Sequence, residues 1–145
     1  MILRILSLFG YLGMMGGLLA LILLRSLFSP LPVVIALQIA GLLLFFWARM
    51  TFGRRSFHLA ANPTEGGLVT SGPYHYIRHP IYTAICLVTG AGAAAHFSWK
   101  TGLVFGLILI CALVRIFSEE RLVSERYPEY QAYAAKSWRM LPYLF

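Results

Sequence analysis

Residues 5–24 read ILSLFGYLGMMGGLLALILL, twenty consecutive residues without a charge. At about 1.5 Å of rise per residue such a run crosses the roughly 30 Å hydrocarbon core of a bilayer as one helix. It is too long for the apolar region of a cleavable signal, and no small-x-small site leads into a polar mature chain, so a retained transmembrane helix is expected. The surrounding composition agrees. Of 145 residues 59% are hydrophobic and 12% charged, and the mean hydropathy is +0.75, values that describe a membrane protein rather than a soluble domain.

Outward from that run, the chain divides at its charges. Between Arg25 and Arg49 lie 23 uncharged residues, with Pro30 and Pro32 at the turn, and a second helix is predicted over 33–48. Residues 49–80 form a long polar loop punctuated by Asn62-Pro63, Gly66-Gly67 and Gly72-Pro73. A third helix is predicted over 81–99. Its small residues at 89–95, like Gly13 and Gly17 in the first helix, suit close helix packing. The fourth span, 101–118, is unusual, because only 14 uncharged residues separate Lys100 from Arg115. That is about 21 Å of helix, so Arg115 is expected below the interface, with the helix running on toward Val123. In 119–145, Tyr127, Tyr130, Tyr133, Trp138 and Tyr143 mix with Arg126, Lys136 and Arg139, a pattern that suits an interfacial segment. The expected fold is therefore an all-α membrane protein in one domain, 1–145. It has about four transmembrane helices, a cytoplasmic loop and an interfacial C-terminal helix.

Charge sets the orientation. Twelve Lys and Arg stand against five acidic residues, and all five are Glu. Ten of the basic residues (Arg4, Arg49, Arg54, Arg55, Arg78, Arg115, Arg121, Arg126, Lys136, Arg139) fall on one side of four spans, and only Arg25 and Lys100 on the other. The positive-inside rule then puts both termini and the long loop in the cytoplasm. Topology and membrane lipids thus account for the basic excess, and nucleic acid is not expected as a partner. Without Asp, Asp-based triads and Asp-ligated metals are excluded. Cys86 and Cys111 lie in apolar stretches and read as packing residues. His58, His75 and His96 show no ligand spacing, so no metal is expected. No Gly-x-Gly-x-x-Gly occurs, and any cofactor must sit against the membrane helices.

Two polar clusters remain. In Gly72-Pro73-Tyr74-His75-Tyr76-Ile77-Arg78-His79-Pro80-Ile81-Tyr82, Pro80 suits the first turn of the third helix and His79 is pushed extended. Arg78 and His79 then lie at the positive end of a helix dipole, an arrangement that calls for a shared anion, and a carboxylate or phosphate ligand is expected there. The second cluster is Arg115, Glu119 and Glu120. Arg115 and Glu119 are four apart on one helix face at membrane depth, where charges must pair or line a polar cavity. An antiparallel pairing of helices three and four across a short turn brings both clusters to one end.

With residues 68–74 (LVTSGPY), Arg78-His79-Pro80-Ile81-Tyr82 and, about forty residues on, Glu119-Glu120 before a tyrosine-rich end, the chain resembles the isoprenylcysteine carboxyl methyltransferase and phospholipid methyltransferase superfamily. The resemblance covers roughly residue 47 to the carboxyl terminus. It implies an integral-membrane enzyme that moves a methyl group from S-adenosyl-L-methionine to a lipophilic or prenylated acceptor entering from the bilayer. By the same resemblance, Gly66, Gly67, Leu68 and Val69 supply backbone contacts to the cofactor, and Tyr74, Arg78, His79, Pro80, Ile81, Tyr82, Glu119 and Glu120 line its pocket. Arg115 takes the catalytic place at the acceptor side. Ala84 and Tyr127-Pro128 stand where relatives often carry glycine and Phe-Gly. An arginine beside the acceptor favours a carboxylate, which needs no general base. A lipid amine would need to lose a proton first, to Glu119, Glu120 or a histidine. The non-enzymatic alternative is a small transporter subunit or assembly factor, which gives no reason for the two clusters to converge.

Overall fold

The computed structural model describes residues 2–53 and 67–145. Among these, five α-helices follow one another: α1 (Ile2–Leu23), α2 (Pro32–Phe52), α3 (Pro80–Ala95), α4 (Trp99–Arg126) and α5 (Tyr130–Ala134), with a 3₁₀ turn (Gly72–His75) ahead of α3. The all-α membrane class is as expected. Helices α1, α2 and α4 are each long and apolar enough to cross a membrane, whereas α3 has 16 residues and falls in a shorter class. At about 24 Å it is a short span, and the length missing there reappears in α4. The 28 residues of α4 carry Arg115, Glu119 and Glu120 on one uninterrupted helix past the predicted limit near Val123.

Local chemistry explains the boundaries. Pro32 and Pro80 occupy the first turns of α2 and α3, where a missing N–H costs nothing. Ser98 caps α4 through a reciprocal box: its hydroxyl accepts from the Thr101 N–H at 3.2 Å, and its own N–H donates to the Thr101 hydroxyl at 2.8 Å. This lets α3 turn into α4 within three residues.

Packing orders the helices as α1 against α4, α4 against α3, and α3 against α2. Lipid is as apolar as leucine, so such contacts depend on close approach rather than on hydrophobic burial. The glycine face of α1 supplies it. A Cβ on Gly13 would collide with the Cys111 thiol, one on Gly17 with Ile108, and one on Gly10 would lie 2.9 Å from the Arg115 stem. At the far end, Gln38 Nε2 donates to the Leu27 carbonyl at 2.6 Å, and His96 Nε2 lies 2.8 Å from the Phe28 carbonyl.

The C-terminal segment is composite: α4 continues to Arg126, α5 has five residues, and the remainder folds back on the approach to α3. Ile77 and Trp138 form a parallel bridge. Arg78 N–H donates to the Trp138 carbonyl at 2.7 Å, His79 N–H to Arg139 at 2.9 Å, and Trp138 N–H to Tyr76 at 2.9 Å. Backbone pairing wins here because residues 76–79 lie outside any helix, Tyr76 in the helical region and His79 at φ -125 and ψ 56 rather than extended, and they offer polar groups that must be satisfied near a membrane.

Candidate active site

The N-terminus of α3 and the C-terminal half of α4 meet at the same end of the bundle as the N-terminus of α1. Arg115 is only 5% exposed. Its Nε donates to the Tyr82 hydroxyl at 2.7 Å, Nη2 to Glu119 Oε1 at 3.0 Å and Nη1 to the Ser7 carbonyl at 3.0 Å. The Tyr82 hydroxyl in turn donates to Glu119 Oε1 at 2.5 Å. Arg115 also lies over the Tyr11 ring, 5.3 Å from its centroid. Glu119 Oε2 is 3.9 Å from His79 Nδ1, an ion-pair separation too long for a hydrogen bond. Its side chain is 24% exposed, so this oxygen is the open edge of an otherwise buried cluster.

Beside it lies a closed cluster. Glu120 Oε1 accepts from Arg78 Nε at 2.9 Å and lies 3.3 Å from His79 Nε2, while Oε2 accepts from Arg139 Nε at 2.9 Å. Arg78 Nη1 also donates to the Ala134 carbonyl at 2.9 Å and, closely, to the Ser137 carbonyl. The anion expected at the positive end of α3 is thus the protein's own Glu120, and Arg78 and His79 need no external carboxylate or phosphate between them. A built-in carboxylate satisfies the helix end at no cost in translational freedom.

The other residues of the two motifs are distributed around this pair. Tyr74 is buried, its ring 5.4 Å from that of Phe52, and its carbonyl accepts from the Tyr133 hydroxyl at 2.6 Å. Burial pushes the Tyr133 phenol up to about 12. Burial, and next the neighbouring Tyr133, raises Tyr74, and burial, then Glu120, raises Tyr130, so all three are neutral donors at pH 7. Pro80 is buried and Ile81 half-buried at the start of α3. Gly67, Leu68 and Val69 form a half-buried run that makes no hydrogen bond to the cluster among the described residues. Gly66 lies outside the described residues, as do Arg54, Arg55, His58 and Asn62-Pro63. Among the described residues, no three His, Cys, Asp or Glu side chains converge as metal ligands.

Sequence reasoning missed Ser7, Tyr11 and Arg139. Only for the first two was there a signal: Ser7 and Tyr11 are four apart, on one face of an otherwise apolar helix, flanking the small Gly10.

A membrane-embedded helical protein with a buried Arg–Tyr–Glu cluster open at one carboxylate oxygen is the class that fold and site define. The chain belongs to the isoprenylcysteine carboxyl methyltransferase (ICMT) family, a family of methyltransferases, which residues 33–125 match. It is 35% identical over 80 residues to the nickel-cobalt-cadmium resistance protein NccN of Alcaligenes xylosoxydans xylosoxydans, covering 53% of this chain and 37% of that one. To the cobalt-zinc-cadmium resistance protein CzcN of Cupriavidus metallidurans it is 32% identical over 78 residues, covering 53% and 36%. The chain thus matches little more than a third of the length of these curated relatives. No solved structure matches.

Proposed function

We propose that the protein is an S-adenosyl-L-methionine-dependent methyltransferase acting on a lipophilic acceptor at the cytoplasmic face of a membrane. The observation that carries this reading is the Arg115–Tyr82–Glu119 cluster with its one open carboxylate oxygen, in a chain of a methyltransferase family. The donor set fits the cofactor: Glu119 Oε2 offers negative charge for an ammonium or sulfonium, and the Tyr82 ring offers a π-face. Glu119, His79, Tyr82 and Tyr74, with the backbone of Gly66, Gly67, Leu68 and Val69, would hold it. When bound, the cofactor supplies an electrophilic methyl group on sulfur. The chain's own part is alignment and exclusion of water, because an in-line displacement needs little else. Arg78 and Glu120 serve the same pocket indirectly, by closing the tail over the start of α3.

In this reading Arg115 orients a carboxylate acceptor whose apolar tail stays in the bilayer. One observation favours a lipid amine instead: Arg115 already donates to three protein acceptors, while Glu119 Oε2 is placed to take a proton. The relatives' names speak of nickel, cobalt, zinc and cadmium resistance, a property of those proteins. Purified protein in lipid nanodiscs is expected to bind S-adenosyl-L-methionine by calorimetry and to label a prenylated-cysteine acid with methyl that base releases as methanol. Base-stable label in a lipid amine replaces the carboxylate with the amine. Absence of cofactor binding refutes the methyltransferase reading.

A further inference from the structure

The stretch that matches the family begins at residue 33, so α1 lies wholly outside it. Yet α1 supplies two of the groups around Arg115. The Ser7 carbonyl accepts from Nη1 at 3.0 Å, and the Tyr11 ring faces the guanidinium at 5.3 Å. Ser7 is fully buried. Gly10, between them, leaves the space that the Arg115 stem crosses, since a Cβ there would lie 2.9 Å from both Arg115 Cγ and the Cys111 carbonyl. Without these contacts Arg115 would still pair with Glu119 and Tyr82. The ion pair therefore does not need α1. A planar guanidinium bonded along its Nε–Nη2 edge can tilt about that edge, and a carbonyl at Nη1 and an aromatic face resist that tilt.

We propose that α1 completes the active site: Tyr11 and the Ser7 carbonyl act as positioning groups for the Arg115 guanidinium on the acceptor side, so that α1 sets the rate of methyl transfer. This rests on the methyltransferase reading above, and its signature differs from that of a helix that merely packs. Loss of orientation slows the chemical step and leaves cofactor affinity alone.

A series of rings of nearly constant size at position 11 tests this: Tyr11→Phe as reference, then 4-fluoro- and 3,4,5-trifluorophenylalanine introduced by codon suppression. Fluorine drains the ring face of negative charge with little change in volume, so packing is kept while attraction for the guanidinium fades. The expected result is a graded fall in kcat, about threefold to tenfold across the series, with S-adenosyl-L-methionine affinity and Tm constant. Hydrogen exchange of the Arg115 Nε–H, followed by NMR of protein carrying ¹⁵N-arginine, is expected to quicken in the same order. A flat series in both measurements overturns the proposal, as does a fall in kcat that tracks a fall in cofactor affinity. If wild-type protein binds no S-adenosyl-L-methionine, the function proposed above fails, and Arg115 exchange across the series alone decides whether Tyr11 positions it.

Discussion

Glu119 and Glu120 are neighbours in sequence, yet one helix position, about 100° of rotation, sends them into opposite surroundings. Both Glu120 oxygens face cations: Arg78 at 2.9 Å on one and Arg139 at 2.9 Å on the other, with the side chain 11% exposed. Glu119 has a single oxygen engaged, by Arg115 at 3.0 Å and Tyr82 at 2.5 Å, and its second is 3.9 Å from His79. The difference separates two tasks that a Glu-Glu pair merges in sequence. A carboxylate enclosed by two arginines and a histidine and tied to the tail is a structural clasp. A carboxylate with one oxygen left half-satisfied is where a ligand's positive charge can be met.

That contrast breaks most visibly when each glutamate is removed in turn. Glu120→Ala leaves Arg78, buried among carbonyls, without its anion, and a stability loss of about 3–5 kcal/mol is expected. Thermal denaturation in detergent would record it, together with trypsin cleavage at Lys136 and Arg139 once the tail is released. Glu119→Ala is expected to cost less stability, because Arg115 keeps the Tyr82 hydroxyl and the Ser7 carbonyl as acceptors. Its effect falls on the ligand: S-adenosyl-L-methionine affinity should weaken by about 1.5–3 kcal/mol, read by calorimetry. If Glu119→Ala is the more destabilising substitution, or if folded Glu120→Ala protein loses as much cofactor affinity, the two glutamates do not divide the work as argued.

Much of this is legible in the amino-acid order alone. Charge-free runs mark α1, α2 and α4, and the i, i+4 spacing of Arg115 and Glu119 announces a pair that lies at 3.0 Å. Proline chemistry places the start of α3. What escapes is everything that depends on which segments approach one another. Nothing local in Arg139, Ala134 or Ser137 says that they meet Arg78, because backbone carbonyls carry no sequence signature. The aromatic-basic mixture of the tail reads as an interfacial segment on composition, which says nothing of the backbone pairing of Trp138 with Tyr76 and Arg78. For the same reason the anion expected at α3 reads as an external ligand, although Glu120, forty residues on, supplies it.

The hydroxyl shared by Arg115 and Glu119 sharpens the contrast at smaller scale. Tyr82→Phe removes one acceptor from Arg115 and one donor from Glu119 while leaving their own bond at 3.0 Å. A weakening of S-adenosyl-L-methionine binding by about 1 kcal/mol, roughly fivefold, is expected, with the tail still protected from trypsin. Equal effects on tail protection and on binding would mean that the two clusters form one network.

The smallest effect is read in the alkaline limb and belongs to the tail. Burial holds the Tyr133 phenol up to about 12, above the ordinary value of 10.0, and Tyr74 and Tyr130 are raised as well. A group whose folded pKa is raised keeps its proton longer in the folded state than in the unfolded one. Between pH 10 and about 12 the folded protein therefore binds more protons, and raising the pH favours unfolding. The stabilisation is fully present below pH 10 and is lost as pH climbs through the folded value. Tm should accordingly be flat from pH 7 to near 10 and fall above it. Tyr133→Phe should lower Tm at neutral pH, by loss of the hydrogen bond to the Tyr74 carbonyl at 2.6 Å, and should fall less steeply above pH 10. Parallel curves for the two proteins would show that Tyr133 does not carry the alkaline limb, and that its burial under the tail is looser than its contacts require.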